Sequence, residues 1–376
     1  MCAPASFTKS WVEAQRPSKS PPGKERRQPK GRNGSRLGFG LIDLIAVACA
    51  VALVSALVVF AIEQARIRAR SVGCRDNLRN IGLALSQYTD THRMLPTATL
   101  VGSDIRLAQS PLALLVPLLP LTNKPSSDSA SATYDSNQLW FEQREGIGAA
   151  VVPTFRCPAS RHLDPVESLD AARSHCPLGT LLATTDYVVC KGPNDSWCMD
   201  HGSSALPLRE RGCFEIGRPL RPRDISDGLA QTVVIGEGSA GARWSLSERG
   251  RFPLTLVDKS NRPLPAYNYW CWPFLNTLEK QRKTQIVAAS IFGTTAVDLN
   301  RRPVIETIVN TLKLGDCKPR YKDGFHAVSG FRSDHLSGAY FLFADGASHF
   351  VSEGIVPDVY RALSSIAGCE SVDYIN

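Results

Sequence analysis

The sequence predicts an α+β protein in which one long N-terminal helix packs on an antiparallel sheet with long loops. Three observations lead there. Residues 44–62 contain a single hydroxyl side chain, Ser55, and no charge. Residues 63–92 contain no proline and carry one apolar stripe at helical spacing: Val72, Leu78, Ile81, Leu85 and Tyr88. Near the C-terminus, residues 340–344 and 347–351 are strand-like runs joined by Asp345-Gly346.

The chain opens on a basic, Pro/Gly-rich leader, residues 1–38, read as disordered and removed by processing. It carries nine Lys and Arg against Glu13 and Glu25, so +7 of the net charge of +8 belongs to it. The remaining body is near neutral. Composition gives no basic patch, and no nucleic-acid partner is expected.

Residues 39–62 form the membrane half of the helix. A span needs ~20 apolar residues at ~1.5 Å rise, and this run is long enough. The Ala-x-Ala triplets lie inside the run, which argues against ordinary signal-peptidase cleavage. A lipoprotein cut before Cys49 is disfavoured because the short stretch ahead of it holds Asp43. The leader is more basic than the other flank, where five arginines in residues 63–79 face Glu63 and Asp76. The positive-inside bias keeps the leader cytoplasmic. The expected location is therefore the cytoplasmic (inner) membrane, single-pass, with the head outside the cytoplasm or at the cell surface.

Residues 63–92 continue the helix as an amphipathic half that Met94-Leu95-Pro96 ends. Residues 93–376 form the extracytoplasmic head, read as short strands and loops. The three prolines in residues 110–121 give a broken helix or packed loop, and the polar residues 122–137 a surface loop. Residues 232–235 and 340–344 are strands. In the latter, Phe341 and Phe343 share one face, while Tyr340, Leu342 and Ala344 share the other. Both faces are apolar, so this strand is central, and the amphipathic helix is the natural cover for one of them. Residues 286–315 mix β-branched runs with possible helix and support no assignment.

Of eleven cysteines, Cys2 lies in the leader and Cys49 in the span. Nine lie outside, in an irregular pattern without a C-x-x-C pair, so no metal site is expected. Disulfides suit an oxidising compartment, with Cys157, Cys176, Cys190, Cys198 and Cys213 as the clustered candidates. Nine is odd, and Cys74 on the helix is the candidate for the thiol left over.

Other patterns weigh against catalysis. Gly236-Glu237-Gly238-Ser239-Ala240-Gly241 fits G-x-G-x-x-G but is not followed by a clear apolar helix, so it reads as a glycine-rich turn. Asp227-Gly228 and Asp345-Gly346 read as turns, with Ca²⁺ as the alternative for their carboxylates. His335, beside Asp334, and His349 flank the hairpin, but nothing marks a nucleophilic serine. No enzymatic activity and no cofactor are expected. Asp43 needs a partner at the lipid end of a span. After a cut at Gly38, the new amine of Phe39 lies four residues away; the alternative is a carboxylate at headgroup level.

The junction of basic leader, Gly38-Phe39 and acidic Asp43 resembles a type IV prepilin or pseudopilin N-terminus. That resemblance implies cleavage between Gly38 and Phe39 by prepilin peptidase and methylation of the new amine. The sequence departs from the pattern in having Asp43 in place of glutamate, Gly40 in place of threonine, and a long leader. Further motifs resemble the DUF1559 family, in chain order. Cys74-Arg75-Asp76-Asn77-Leu78-Arg79-Asn80-Ile81-Gly82 resembles its C-x-N-N-L-K-Q-I-G helix. Phe155-Arg156-Cys157-Pro158 resembles its F-x-C-P element, and Thr185-Asp186-Tyr187-Val188 its T-N-Y-V. Residues 227–237, from Asp227-Gly228 to Gly236-Glu237, resemble D-G-T-S-N-T-I-L-V-G-E. His335 and Asp345-Gly346 resemble H-x9-D-G, and residues 360–364 the closing A-L-S-T segment.

The resemblance implies a pilin-like fold and no known activity. The expected function is a non-enzymatic pseudopilin-like protein of a type II secretion, pilus-like or cell-surface assembly. Its partners would be prepilin peptidase, other pilin-like subunits or an assembly platform, and membrane lipid. The alternative is a membrane-tethered ligand-binding protein that does not polymerise.

Overall fold

A computed structural model describes residues 40–96, 110–119, 146–161, 163–167, 179–194, 206–215, 219–248, 260–271, 291–306 and 330–368, with 134–135, 138, 143, 254–255 and 257–258. The leader, Gly38, Phe39, Cys176, Cys198 and nearly all of the expected 122–137 loop lie outside the described residues. The chain divides into two compact units, residues 1–59 and 60–376. One helix, α1 (Leu41–His92), contributes to both.

In the first unit α1 begins with Asp43 at its third position. The carboxylate accepts the Gly40 N–H at 3.0 Å, satisfying one of the donors that every helix start leaves over. Asp43 thus serves at least as a helix cap. The large apolar side chains from Leu41 to Val59 are exposed.

In the second unit α1 buries Cys74, Leu78, Ile81, Gly82, Ala84 and Leu85. The predicted stripe is right except at its start, where Val72 is exposed and Cys74 faces the core. Tyr88 is partly buried and stacks on His92 at 4.0 Å. The helix stops where Arg93 takes φ 59°, and the Leu95 N–H then bonds the Leu220 carbonyl at 2.8 Å, leading the chain into the head. Residues 110–121 begin as a short helix, α2 (Pro111–Leu115), which passes into a 3₁₀ turn at Val116–Leu118. Proline fits a first helical turn and resists extension of the previous one.

The strands are β1 (Val166–Glu167), β2 (Leu181–Leu182), β3 (Tyr187–Gly192), β4 (Val233–Glu237), β5 (Gly241–Glu248), β6 (Leu254–Thr255), β7 (Pro265–Ala266), β8 (Phe292–Thr294), β9 (Val304–Glu306), β10 (Gly338–Phe343) and β11 (Ser348–Ser352). A terminal helix, α3 (Pro357–Ala362), follows. The principal sheet runs β11-β10-β4-β3-β8. Its pairs are antiparallel except β3–β8, which is parallel, so the sheet is mixed at one edge. β5 pairs antiparallel with β6 and β7 and parallel with β9; β1 and β2 form a small ribbon.

The sheet is covered on both faces, as the two apolar faces of β10 required. Leu342 joins Leu78, Ile81, Val189 and Ile235 in the core beneath α1. Phe341 and Phe343 join Val188, Phe331, Val351 and Tyr360 in the core on the other face, beneath α3. Each fully buried Leu, Ile or Phe contributes ~1.5–3 kcal/mol, so the docked half of α1 is held chiefly by apolar burial.

The β10–β11 turn differs from expectation. Only Gly346 adopts positive φ, at +87°. The Gly346 N–H bonds the Phe343 carbonyl and the Phe343 N–H bonds the Ala347 carbonyl. The loop is therefore the three residues 344–346, a turn closed by a left-handed glycine, rather than a two-residue turn with both residues left-handed.

Candidate functional site

The motif residues converge where α1 meets the principal sheet. Ser71 and Cys74 lie one turn apart on α1, so both project toward the head. Cys157 follows the 3₁₀ turn Pro153–Phe155, Asp186 precedes β3, Glu237 ends β4, and His335 lies in the loop before β10. Five segments distant in sequence thus supply one buried cluster.

At its centre Cys74 is disulfide-bonded to Cys157, with Cα atoms 5.0 Å apart. This corrects the expectation that Cys74 is the thiol left over: its side chain faces the sheet, where Cys157 meets it. Around the bridge, His335 Nε2 lies 3.2 Å from Glu237 Oε1 and 3.5 Å from Cys157 Sγ. Glu237 Oε1 lies 3.4 Å from the same sulfur. Glu237 Oε2 accepts the Tyr340 N–H at 2.9 Å, and the Ser71 hydroxyl is 3.4 Å from His335 Nδ1. Glu237 has no exposed surface. Among the described residues, Cys74, Cys157, Glu237 and His335 form the group whose ligand atoms all lie within 4.8 Å of one another.

Further bonds fasten the same junction. Asn77 Nδ2 donates to the Arg156 carbonyl at 2.6 Å, and the Tyr187 hydroxyl donates to the Cys74 carbonyl at 3.2 Å. Asp186 accepts the Cys157 N–H at 2.9 Å and the Ser160 hydroxyl at 3.0 Å. Burial pushes the Asp186 carboxyl up to about 7, while the Arg156 guanidinium 3.4 Å away pulls it down. A glycine on α1 makes room for the C-P element: a Cβ at Gly73 would sit 2.9 Å from Pro158 Cγ.

Beside the cluster opens a cleft of about 620 Å³, bordered by His335, Asp334, Tyr340 and Phe350 and by Arg70, Arg161 and Arg243. Asp334 accepts from Trp244 Nε1 at 3.1 Å and pairs with Arg243 at 3.3 Å. Burial raises the Asp334 carboxyl above its ordinary range, opposed by Arg243.

The remaining expected residues do structural work elsewhere. Asp227 accepts the Ser365 hydroxyl at 2.9 Å and the Gly368 N–H at 2.6 Å, fastening the C-terminal segment, and Gly228 has φ +95°. Asp345 accepts the Ala347 N–H within its own turn. His349 packs against Phe343, whereas His335 packs against Tyr340 on the opposite face of β10, so the two histidines do not converge. Gly236–Gly241 leads from β4 into β5, not into a helix. Cys190 and Cys213, expected among the bridged cysteines, are reduced. They pack in different core clusters although their backbones are neighbours, so burial raises both thiols without joining them.

Glu237, Ser71 and Asp186 were not singled out from sequence, and the tetrad was missed. Its members stand at 74, 157, 237 and 335, with no short metal-type spacing. The available signal was that each of the four belongs to a different motif.

The fold and site define an α+β protein with an N-terminal helix long and apolar enough to cross a membrane, clamped to a mixed sheet through a buried Cys/Cys/Glu/His cluster. Residues 63–358 match the family described as "Protein of unknown function (DUF1559)", and the chain belongs to that family. Neither the curated proteins nor the solved structures returned a match.

Proposed function

We propose that this protein is a non-enzymatic, membrane-anchored, pilin-like subunit, cut between Gly38 and Phe39 and displaying its head outside the cytoplasm. The observation that carries this reading is the unbroken 52-residue helix α1. Its first half presents an apolar surface on every side, and its second half is amphipathic and docked. At ~1.5 Å per residue the helix is roughly 78 Å long, enough to cross a ~30 Å hydrocarbon layer and still carry a head. An exposed apolar helix of this length needs lipid or other apolar helices around it. The basic leader supports the orientation, and the Gly38-Phe39 junction supports prepilin-type processing. Asp43, already accepting from the Gly40 amide, is one residue further from the amine that processing would create at Phe39. It can serve both groups and fix the axial register between neighbouring helices.

N-terminal sequencing of membrane-extracted protein tests the processing step. N-methylated Phe39 is expected; an intact leader or a start near Ala50 rejects it. Asp43→Ala then tests assembly. Loss of higher-order complexes at normal membrane levels is expected of a subunit.

The cleft favours a second reading, a tethered binding module that does not polymerise. Three arginines and two aromatic rings around about 620 Å³ suit an anionic ligand with an apolar body. Unchanged complexes in Asp43→Ala, together with loss of ligand retention in Arg70→Ala or Arg161→Ala, would favour it.

A further inference from the structure

We propose that Cys74, Cys157, Glu237 and His335 form a closed, four-coordinate Zn²⁺ site when the Cys74–Cys157 disulfide is reduced. The geometry points there. In a tetrahedral site with Zn–S ~2.3 Å and Zn–N or Zn–O ~2.0–2.1 Å, sulfur lies ~3.6 Å from nitrogen or oxygen, and nitrogen ~3.3 Å from oxygen. The corresponding separations are 3.5 Å from Cys157 Sγ to His335 Nε2, 3.4 Å from Cys157 Sγ to Glu237 Oε1, and 3.2 Å from His335 Nε2 to Glu237 Oε1. Three of the six edges of the tetrahedron already stand near their lengths. Cys74 Sγ supplies the remaining vertex once its bond to Cys157 is opened and the sulfurs separate to ~3.8 Å.

A disulfide alone does not call for these neighbours. It carries no charge, yet a fully buried carboxylate oxygen and an imidazole nitrogen both face it. The surrounding bonds are those that orient metal ligands. Glu237 is held through its other oxygen by the Tyr340 N–H, and His335 has Ser71 at its other nitrogen. Two thiolates, one imidazole and one carboxylate favour Zn²⁺ over Ca²⁺ or Mg²⁺, which take oxygen ligands. Four protein ligands fill a tetrahedral site and leave no open position, which marks a structural rather than a catalytic site.

The chemistry balances with an external dithiol as reductant. Its two thiols reduce the protein disulfide to two thiols and become a disulfide themselves. Zn²⁺ then displaces one proton from each cysteine, and two protons leave to solvent. Disulfide and metal join the same two chain segments, so α1 stays clamped to the head in either redox state.

The test uses the full chain in detergent, reduced without oxygen and freed of reductant, then titrated with Co²⁺ and with Zn²⁺. The expected result is one equivalent of Co²⁺ with the visible bands of tetrahedral cobalt and thiolate-to-cobalt charge transfer, displaced by Zn²⁺ and absent from the oxidised chain. Glu237→Gln and His335→Ala should each weaken Zn²⁺ binding at least ~100-fold, since even outer partners of a metal site are worth ~10–100-fold. Reduced protein that takes up no cobalt, or binding undiminished in both variants, overturns the proposal. If reduction alone unfolds the chain, Zn²⁺ should restore its near-ultraviolet circular dichroism, and failure to do so also overturns it.

Discussion

Opening the Cys74–Cys157 bridge measures what the disulfide adds to the apolar burial that holds α1 to the head. The bridge closes a loop across a sequence separation of 83. For that length the chain-entropy relation gives ~15 cal/mol/K, or ~4.5 kcal/mol at 25 °C. At ~1.4 kcal/mol per decade, this is roughly a thousandfold in the folding equilibrium. Alanine is the better replacement at both positions, because serine would bury a hydroxyl beside Glu237 and His335. The assay is urea unfolding of the full chain in detergent with a chelator present, so that no metal substitutes for the bridge. The buried Trp244 and Trp270 make fluorescence a suitable probe of the head. Wild type, reduced wild type and the Cys74→Ala/Cys157→Ala variant are compared. The two unbridged forms should agree with each other and lie ~3–5 kcal/mol below the oxidised protein. A loss under ~1 kcal/mol would contradict the loop-entropy estimate, because the unfolded chain would then already hold the two segments near each other without the bridge.

Three further perturbations follow from the packing and the buried charge. Gly236→Ala places a Cβ 2.6 Å from the Phe331 and Phe341 rings and should cost ~1–3 kcal/mol, read as a lower thermal midpoint. Tyr187→Phe removes the hydroxyl that bonds the Cys74 carbonyl and should cost ~1 kcal/mol, with the urea midpoint falling and the slope unchanged. Asp186 lies near 7 when folded against an ordinary 3.8, so the folded chain keeps a proton that the unfolded chain releases. Its contribution is complete below about pH 4 and is lost as pH rises to about 7, a loss of a few kcal/mol at ~1.4 kcal/mol per pH unit. In the disulfide-bonded protein, Asp186→Asn should remove this decline, gaining on wild type at about pH 8 but not at about pH 4; parallel pH–stability curves would contradict it.

Much of the fold could be read from particular residues. The absence of proline through residue 92 and the stripe through Leu78, Ile81 and Leu85 gave α1 to its end, because helical period and breakers are local signals. The alternating apolar faces of β10 gave a central, doubly covered strand for the same reason. The parallel placement of β8 was not legible, since strand partnership depends on contacts remote in sequence. The turn at Asp345-Gly346 was located but mistyped, because Asp-Gly suits both a two-residue turn and the end of a three-residue loop. The site was legible as motifs but not as a site. His335 and Cys157 were named for separate reasons, and Cys74 was assigned the opposite role. Pairing of β4 with β10 sets Glu237 beside His335, and docking of α1 brings Cys74 to Cys157; both are tertiary events that no short spacing records.

The proposed function requires that α1 anchor the chain in a membrane and leave the head outside the cytoplasm. Protease added to intact spheroplasts tests it most directly, with immunodetection of the C-terminal segment in membranes washed with alkaline carbonate. The chain should stay in the washed membrane, and the C-terminal segment should be lost to protease without lysis. A head protected until the membrane is broken, or a chain released by the wash, would contradict it.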